Sequence, residues 1–473
     1  MTTANAALGI NFNKTPLPSI TTTSTDPHDD IRHTMSGKHP VAFIGLGAMG
    51  YGMAVNLVKE GFQVTGFDVY GPTLERFSKD GGLVAKTPAD AVSGKQYCVC
   101  MVATAQQAQS VLLDGENAAL TALPSGAVIF LCSTVPCSYV QGLEKELEAR
   151  GRGDILLIDC PVSGGAIRAA NGTLSIMAGA SAAALEKGRH ILQVMSDSQK
   201  LYIGGEIGAG SNIKMCHQVL AANQILSASE AMGFARHLDL DLQSTGAYLI
   251  KSEGWSWMLE NRMPRILDAN HGPLASAVTI ILKDTSIITQ EARRVGFPTP
   301  MTSAAEQVYF ASLGKGFGPE DDAGLIRMYT EGKGRVGPVK GLAESDDAKL
   351  TLVVNLLRGI HLCSAVETLV FSHFLGLDLD QIFELCINAA GGSAILSAVG
   401  PQIIKILRGQ SLDKHSVPQL RAFATELTAA VNEAQRLKVP VSLGAAALNL
   451  INLALQGNAS EASGELLVKL WTK

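Results

Sequence analysis

The chain has no excess of basic charge: 38 Lys and Arg stand against 43 Asp and Glu, a net charge of −5. Nucleic acid is bound chiefly through clustered cations, so it is excluded as a partner. No apolar run reaches the roughly 20 residues a membrane span needs. The longest candidate, 352–375, is interrupted by Arg358, His361, Glu367 and His373. The eight cysteines form no C-x-x-C pair. Cys98 and Cys100 fall two apart on an expected strand, where neighbouring thiols suit neither a disulfide nor zinc, so no metal site is expected. Free buried thiols fit a reducing compartment, and the cytoplasm is the expected location, with no membrane partner. Residues 1–38, rich in Thr, Ser, Asn and Pro, have little to bury and read as a disordered tail. Asp26, Asp29 and Asp30, with few basic residues, argue against a mitochondrial presequence there.

What is present is an apolar chain, 47% hydrophobic over 473 residues, enough for two or three domains. Val41-Ala-Phe-Ile44 leads into Gly45-Leu46-Gly47-Ala48-Met49-Gly50, a helical stretch from Met53 to Glu60, and an apolar alternation ending at Asp68. This is a strand–turn–helix–strand unit with the spacing of a dinucleotide site. Gly45 allows a tight turn, Gly47 admits a pyrophosphate, and Gly50 lets the helix pack while its N–H groups face the phosphates. Asp68 would accept the ribose diol and repel a 2′-phosphate. The first Arg after it is Arg76, so NAD is favoured, with NADP not excluded.

Strand and helix signals then alternate: Tyr97 to Val102, Gln106 to Leu113, Ala127 to Cys132, Tyr139 to Arg150, and Ile155 to Asp159 as the last strand. Such βα units make a mostly parallel doubly wound sheet with ligands at its carboxyl edge. Thr104 and Ser133-Thr134-Val135-Pro136 stand just beyond two strand ends, where their hydroxyls serve either a cofactor or an ordinary turn. From about Gly208 the period becomes helical, with helices expected at 210–237, 240–250, 275–295 and 300–314. The expected division is a tail (1–38), a Rossmann-type domain (39–205), an all-α domain (206–335), a linker (336–347) and a second all-α domain (348–473).

The second helical region repeats the first. Thr351 to Asp378 aligns with Lys214 to Asp241 without a gap, Glu230 falling on Glu367 and Pro264 on Pro401. Farther on, Glu291-Ala292 falls on Glu433-Ala434 and Pro298 on Pro440. The second copy has lost its polar specials: Lys214 becomes Thr351, Lys283 becomes Thr425 and Trp257 becomes Ala394. A copy that keeps its apolar positions and sheds these is kept for packing. It could supply an intrachain pseudo-dimer partner; self-association of the whole chain is the alternative.

Three constellations could carry chemistry. Asp159-Cys-Pro161-Val162-Ser163-Gly164-Gly165 opens backbone N–H groups and a hydroxyl to a carboxylate, or is a glycine turn with a capping Ser. Lys214 lies one helical turn before Gln218 on the same face and just after Gly208-Ala-Gly210. It is either a solvated surface Lys or an amine offered to a substrate. Lys283-Asp284 is either a surface ion pair or a Lys reaching the cofactor. No His–Asp relay is evident beside Lys214, which is therefore the expected base; His217, about 300° round the helix, lies near enough to that face to stand as the alternative.

In order and spacing, these motifs, with Gly172-Thr-Leu174, resemble the β-hydroxyacid dehydrogenases over about residues 40–330. Ser256-Trp257-Met-Leu-Glu-Asn261-Arg262 and Lys214-Met-Cys-His217-Gln218 are most similar to the L-threonate dehydrogenase branch, although several members have Asn where this chain has Gln218. The resemblance implies an α/β Rossmann-type sheet followed by a 6-phosphogluconate dehydrogenase-like helical domain, here duplicated. It implies NAD(P)-dependent oxidation of a small hydroxy acid, with Lys214 in general acid–base catalysis. Ser163, Gly164 and Gly165 would bind the substrate carboxylate, Gln218 a hydroxyl, and Thr134 and Lys283 the cofactor. A 6-phosphogluconate-type activity is the rival enzyme reading, set back by the lack of a basic cluster near Lys214. A cofactor-binding scaffold that has lost catalysis is the non-enzymatic one.

Overall fold

The computed structural model describes residues 39–330, 341–410, 419–456 and 465–472. The expected tail and the expected linker up to 340 lie outside the described residues. Six parallel strands, β1 (Val41–Ile44), β2 (Val64–Phe67), β3 (Leu83–Val84), β4 (Tyr97–Cys100), β5 (Val128–Leu131) and β6 (Leu156–Asp159), are ordered 3-2-1-4-5-6. The central strands are apolar on both faces because helices cover both. Val41, Phe43 and Phe130 pack with Met53 and Ile191 on one face. Ala42, Ile44 and Ile129 pack with Leu112 and Leu143 on the other.

The covering helices are α1 (Gly50–Lys59), α2 (Gly71–Lys79), α3 (Pro88–Val92), α4 (Ala105–Gln109), α5 (Cys137–Ala149), α6 (Gly165–Ala170) and α7 (Ala182–Met195). The expectation that Ile155–Asp159 is the last strand is corrected. The sheet continues through β7 (Val162–Ser163), β8 (Leu174–Gly179) and β9 (Ser196–Gly205), with β8 antiparallel to β6 and β7, and β9 parallel to β8. β9 reads SDSQKLYIGG, too polar to show an apolar alternation. It is held by its ladder to the fully buried β8.

Among the described residues, two sets of five longer helices follow, each ending in a short helix (Arg327–Thr330 and Glu465–Val468). The first comprises α8 (Ala209–His237), α9 (Leu242–Leu249), α10 (Trp257–Leu267), α11 (Val278–Val295) and α12 (Pro300–Gly314). The second comprises α13 (Asp347–Phe374), α14 (Leu379–Ile387), α15 (Ala394–Leu407), α16 (Leu420–Leu437) and α17 (Ser442–Gln456). The two long helices, α8 and α13, are apolar nearly all round and share one core. An apolar helix long enough to cross a bilayer is present over Glu344–Phe374, but 89% of its apolar window is buried inside the fold.

The repeat is realised as a pseudo-twofold pairing. Glu230 on α8 accepts hydrogen bonds from Leu443 N (3.1 Å) and Gly444 N (2.9 Å) at the start of α17. Its counterpart Glu367 on α13 accepts from Met301 N (2.7 Å) and Thr302 N (3.0 Å) at the start of α12. Each carboxyl therefore satisfies two backbone donors of the other set's last helix. On the pseudo-axis, Ser256 forms an antiparallel bridge with its own repeat partner, Ser393. Trp257 N donates to Gly392 O at 2.8 Å, and Ala394 N to Trp255 O at 3.1 Å.

Candidate active site

The glycine loop is built for close approach. Gly45 has φ +94°, and a Cβ there would lie 2.3 Å from the Met101 carbonyl oxygen. A Cβ on Gly50 would lie 2.0 Å from the Gly45 carbonyl oxygen, whereas at Gly47 it would meet nothing within 4 Å. The loop thus packs its ends and leaves its middle open, with Ala48 exposed and Met49 half-buried beside Gly47. α1 begins there without a side-chain cap, although Tyr51 N donates to Gly47 O at 3.0 Å, and its N-terminal end faces the loop as an anion site requires. Asp68, at the end of β2, accepts from Leu46 N at 2.6 Å and from Tyr70 N at 2.8 Å, tying the two loops together. Arg76 lies over the Tyr51 ring, 3.6 Å from its centroid. These residues fit a pyrophosphate in the glycine loop and a ribose diol beside Asp68.

Beyond β4, the Thr104 hydroxyl accepts from Gln107 N at 3.1 Å and caps α4. Beyond β5, the buried Ser133 hydroxyl accepts from Val102 N at 2.9 Å, joining the two strand ends. Lys283 reaches these same loops from α11, donating to the carbonyl oxygens of Thr134 (3.3 Å) and Ala103 (3.5 Å). It also pairs with Asp284 at 3.2 Å. The Lys283–Asp284 pair therefore faces the sheet's carboxyl edge.

The other half of the site hangs on Asp159. This buried carboxylate accepts from Ser211 N at 2.6 Å and from Ser211 Oγ at 2.7 Å in the first turn of α8. Burial pushes its pKa up to about 7, and the Ser211 bonds oppose the rise. Gly210 permits the approach, because a Cβ there would meet the carbonyl oxygens of Met177 at 2.4 Å and Asp159 at 2.5 Å. Past Asp159 the chain turns through half-buried Ser163 and the exposed Gly164 (φ +141°) and Gly165 (φ +72°). The Ser163–Gly165 turn and the helix bearing Lys214 thus spring from one carboxylate-fixed joint.

Lys214, 6% exposed, is buried at this joint. Burial pulls its pKa down to about 8; Asp284 pushes it back up and Lys283 lowers it further. One turn on, Gln218 Nε2 donates to Asp284 Oδ2 at 2.6 Å. Its Oε1 lies 3.1 Å from His217 Nδ1. Burial, with Lys214 beside it, drives the His217 pKa down to about 3, so this imidazole is neutral at pH 7. Lys214, Gln218, Asp284 and Lys283 thus form one cluster.

Asp284 is the member the sequence reading treated only as a partner of Lys283. One signal could have found it: its repeat partner, Glu426, is also acidic while Lys283 has become Thr425.

Residues 40–204 match the family described as the NAD binding domain of 6-phosphogluconate dehydrogenase. Residues 208–329, and again 347–471, match the family described as NAD-binding of NADP-dependent 3-hydroxyisobutyrate dehydrogenase. The L-threonate dehydrogenase of Cupriavidus necator is 36% identical over 290 residues, covering 61% of this chain and 95% of the relative. The NAD-dependent L-serine dehydrogenase of Pseudomonas aeruginosa is 29% identical over 304 residues, covering 62% of this chain and 99% of that one. The crystal structure of 3-hydroxyisobutyrate dehydrogenase from Salmonella typhimurium superposes with a TM-score of 0.57 at 29% identity, over 62% of this chain and all of that chain. The 6-phosphogluconate dehydrogenase of Plasmodium falciparum shares the fold across 89% of this chain and 93% of its own, with a TM-score of 0.63 at 17% identity. Twice-matched helical family, Rossmann-type sheet and full-length relatives agree: the chain belongs to the β-hydroxyacid dehydrogenase family of NAD(P)-dependent oxidoreductases.

Proposed function

We propose that this protein oxidises the hydroxyl of a small hydroxy acid of the threonate or 3-hydroxyisobutyrate type, with Lys214 accepting the hydroxyl proton. The observation that carries the reading is a buried amine of lowered pKa, fixed one helical turn past the Asp159–Ser211 joint and set beside Gln218 and Asp284. The bound nicotinamide supplies the hydride acceptor. Gly45, Leu46, Gly47, Ala48, Met49, Gly50 and Asp68 would hold the dinucleotide, with Thr104, Thr134 and Lys283 at its nicotinamide side. Ser163, Gly164 and Gly165 would take the substrate carboxylate on backbone N–H groups and a hydroxyl, while Gln218, oriented by Asp284, would meet a substrate hydroxyl. The test is formation of reduced cofactor from L-threonate, 3-hydroxyisobutyrate, L-serine and 6-phosphogluconate with NAD and with NADP. Turnover of 6-phosphogluconate alone, or of none of them, sinks the proposal.

Two results are expected of an active enzyme. An amine is a base only when neutral, and its neutral fraction grows as pH rises through its pKa. For oxidation, kcat/KM therefore climbs about tenfold per pH unit below about 8 and levels off above it, while reduction of the keto product shows the mirror profile. Asp68→Ala raises KM for NAD roughly tenfold, the worth of one lost bond to a charged acceptor, and narrows the preference over NADP. Steady-state kinetics with both cofactors checks it.

The division into a Rossmann-type domain (39–205), a catalytic helical domain (206–335) and a second helical domain (348–473) belongs to the same reading. So does an intrachain pseudo-dimer, supported by the reciprocal Glu230 and Glu367 bonds. A cytoplasmic location is supported by eight free, buried cysteines, which fit a reducing compartment; the net charge of −5 speaks against a nucleic-acid partner, and the burial of the long apolar helix against its lying in a membrane.

A further inference from the structure

The second helical set keeps a relic of the first set's site, and what fills it is instructive. Asn355 and Glu426 occupy the repeat positions of Gln218 and Asp284. Between them stands Arg358, which donates to Glu426 Oε2 at 2.6 Å and to Asn355 Oδ1 at 3.2 Å. Its guanidinium also lies over the Phe423 ring, 4.9 Å from the centroid. The relic is closed from across the pseudo-axis: Glu253, in the α9–α10 loop of the first set, pairs with Arg358 at 2.9 Å. The loop of one set thus walls the site of the other.

The same crossing operates in reverse. Gly254 approaches Leu357, where a Cβ would lie 3.0 Å from Leu357 Cδ1. Their repeat partners are Gly391 and Leu220, and a Cβ on Gly391 would lie 3.1 Å from Leu220 Cδ1. Gln224 Nε2 also donates to Gly391 O at 2.8 Å, fixing the α14–α15 loop on α8 beyond Leu220 and Gln218. The position matching Glu253 in that loop is Ala390, half-exposed, and the position matching Arg358 is the buried Ala221. Where the relic carries a charge-paired plug, the first site carries two methyl groups.

We propose that Ala390, contributed by the second helical set, forms the wall of the substrate pocket beside Gln218 and Asp284, and that its small uncharged side chain sets the size and charge of acid admitted. This rests on the assignment of Lys214 and Gln218 to the substrate site. A carboxylate at 390 would stand where Glu253 stands opposite, facing Asp284 without an Arg between them, and would repel an anionic substrate.

In the full-length protein, Ala390→Glu is expected to raise KM for L-threonate at least tenfold, with NAD affinity and melting temperature unchanged. Ala390→Gln, equal in size and uncharged, raises it less. A KM for Ala390→Glu within twofold of the parent overturns the inference. Should Ala390→Glu fail to fold, Ala390→Cys decides, because all eight native cysteines are buried. Its alkylation by iodoacetamide should slow at least tenfold with NADH and L-threonate together, and an unchanged rate overturns the inference. If Lys214→Ala retains turnover, the site assignment itself falls. An inactive Lys214→Ala beside a normal Ala390→Glu overturns only the role of Ala390.

Discussion

Lys214→Ala is expected to lower kcat by about 10²- to 10⁴-fold, the usual worth of a positioned general base, while NAD binds within about twofold of the parent. The amine is buried and its pKa is drawn to about 8, so an appreciable neutral fraction exists near pH 7.5 without a second base. His217 does not substitute for it, because its pKa near 3 leaves too weak a base and its Nδ1 faces Gln218. Lys214→Arg keeps the charge and loses the titration, so it should be nearly as inactive as the Ala variant. Single-turnover formation of NADH, with NAD affinity read by fluorescence quenching, separates the chemical step from binding. A Lys214→Ala enzyme that retains a tenth of the parent kcat would remove this residue from the mechanism.

Glu230→Ala and Glu367→Ala are each expected to destabilise the protein by about 3–5 kcal/mol. Each leaves two buried helix N–H groups without an acceptor and a cavity at the junction of the two helical sets. The Gln variants keep one acceptor and should lose roughly 1–2 kcal/mol. Burial raises the pKa of both carboxyls to about 7, above the ordinary value of 4.5. The folded state therefore holds these protons between pH 4.5 and 7, and their contribution to stability, fully present below 4.5, is lost as pH rises through 7. A neutral Gln does not follow that loss, so the gap between Glu367→Gln and the parent should narrow from pH 5 to pH 8. Denaturant midpoints at the two pH values measure it; equal gaps would contradict burial as the controlling cause.

The parts of the fold that could be read in the sequence are those whose cause is local. Gly45 and Gly50 sit where a Cβ would strike backbone, and Val41–Ile44 is apolar on both faces because both are covered. The duplication was legible through Glu230 and Glu367, whose partners could not be read. Each carboxyl bonds a helix of the opposite set, and no spacing encodes that. β9 was hidden because a polar edge strand is made by its ladder rather than by its own pattern. In the candidate site, helical spacing put Lys214 and Gln218 on one face, and the family resemblance gave them their expected roles. Asp284 was hidden by its neighbour, since an adjacent Lys–Asp pair looks self-sufficient until Gln218 and the loop carbonyls are placed around it. Thr104 was read as a candidate cofactor contact, and its hydroxyl is already engaged in capping α4.

The crossed carboxyl bonds between α8 and α17, and between α13 and α12, hold together two bodies that share one backbone. Tethering fixes the local abundance of one body around the other, however far the solution is diluted. On the proposed assignment of Ala390, the reactive centre would keep its borrowed wall at every protein concentration. With Thr351 in place of Lys214, the proposed reading leaves one turnover centre in each chain.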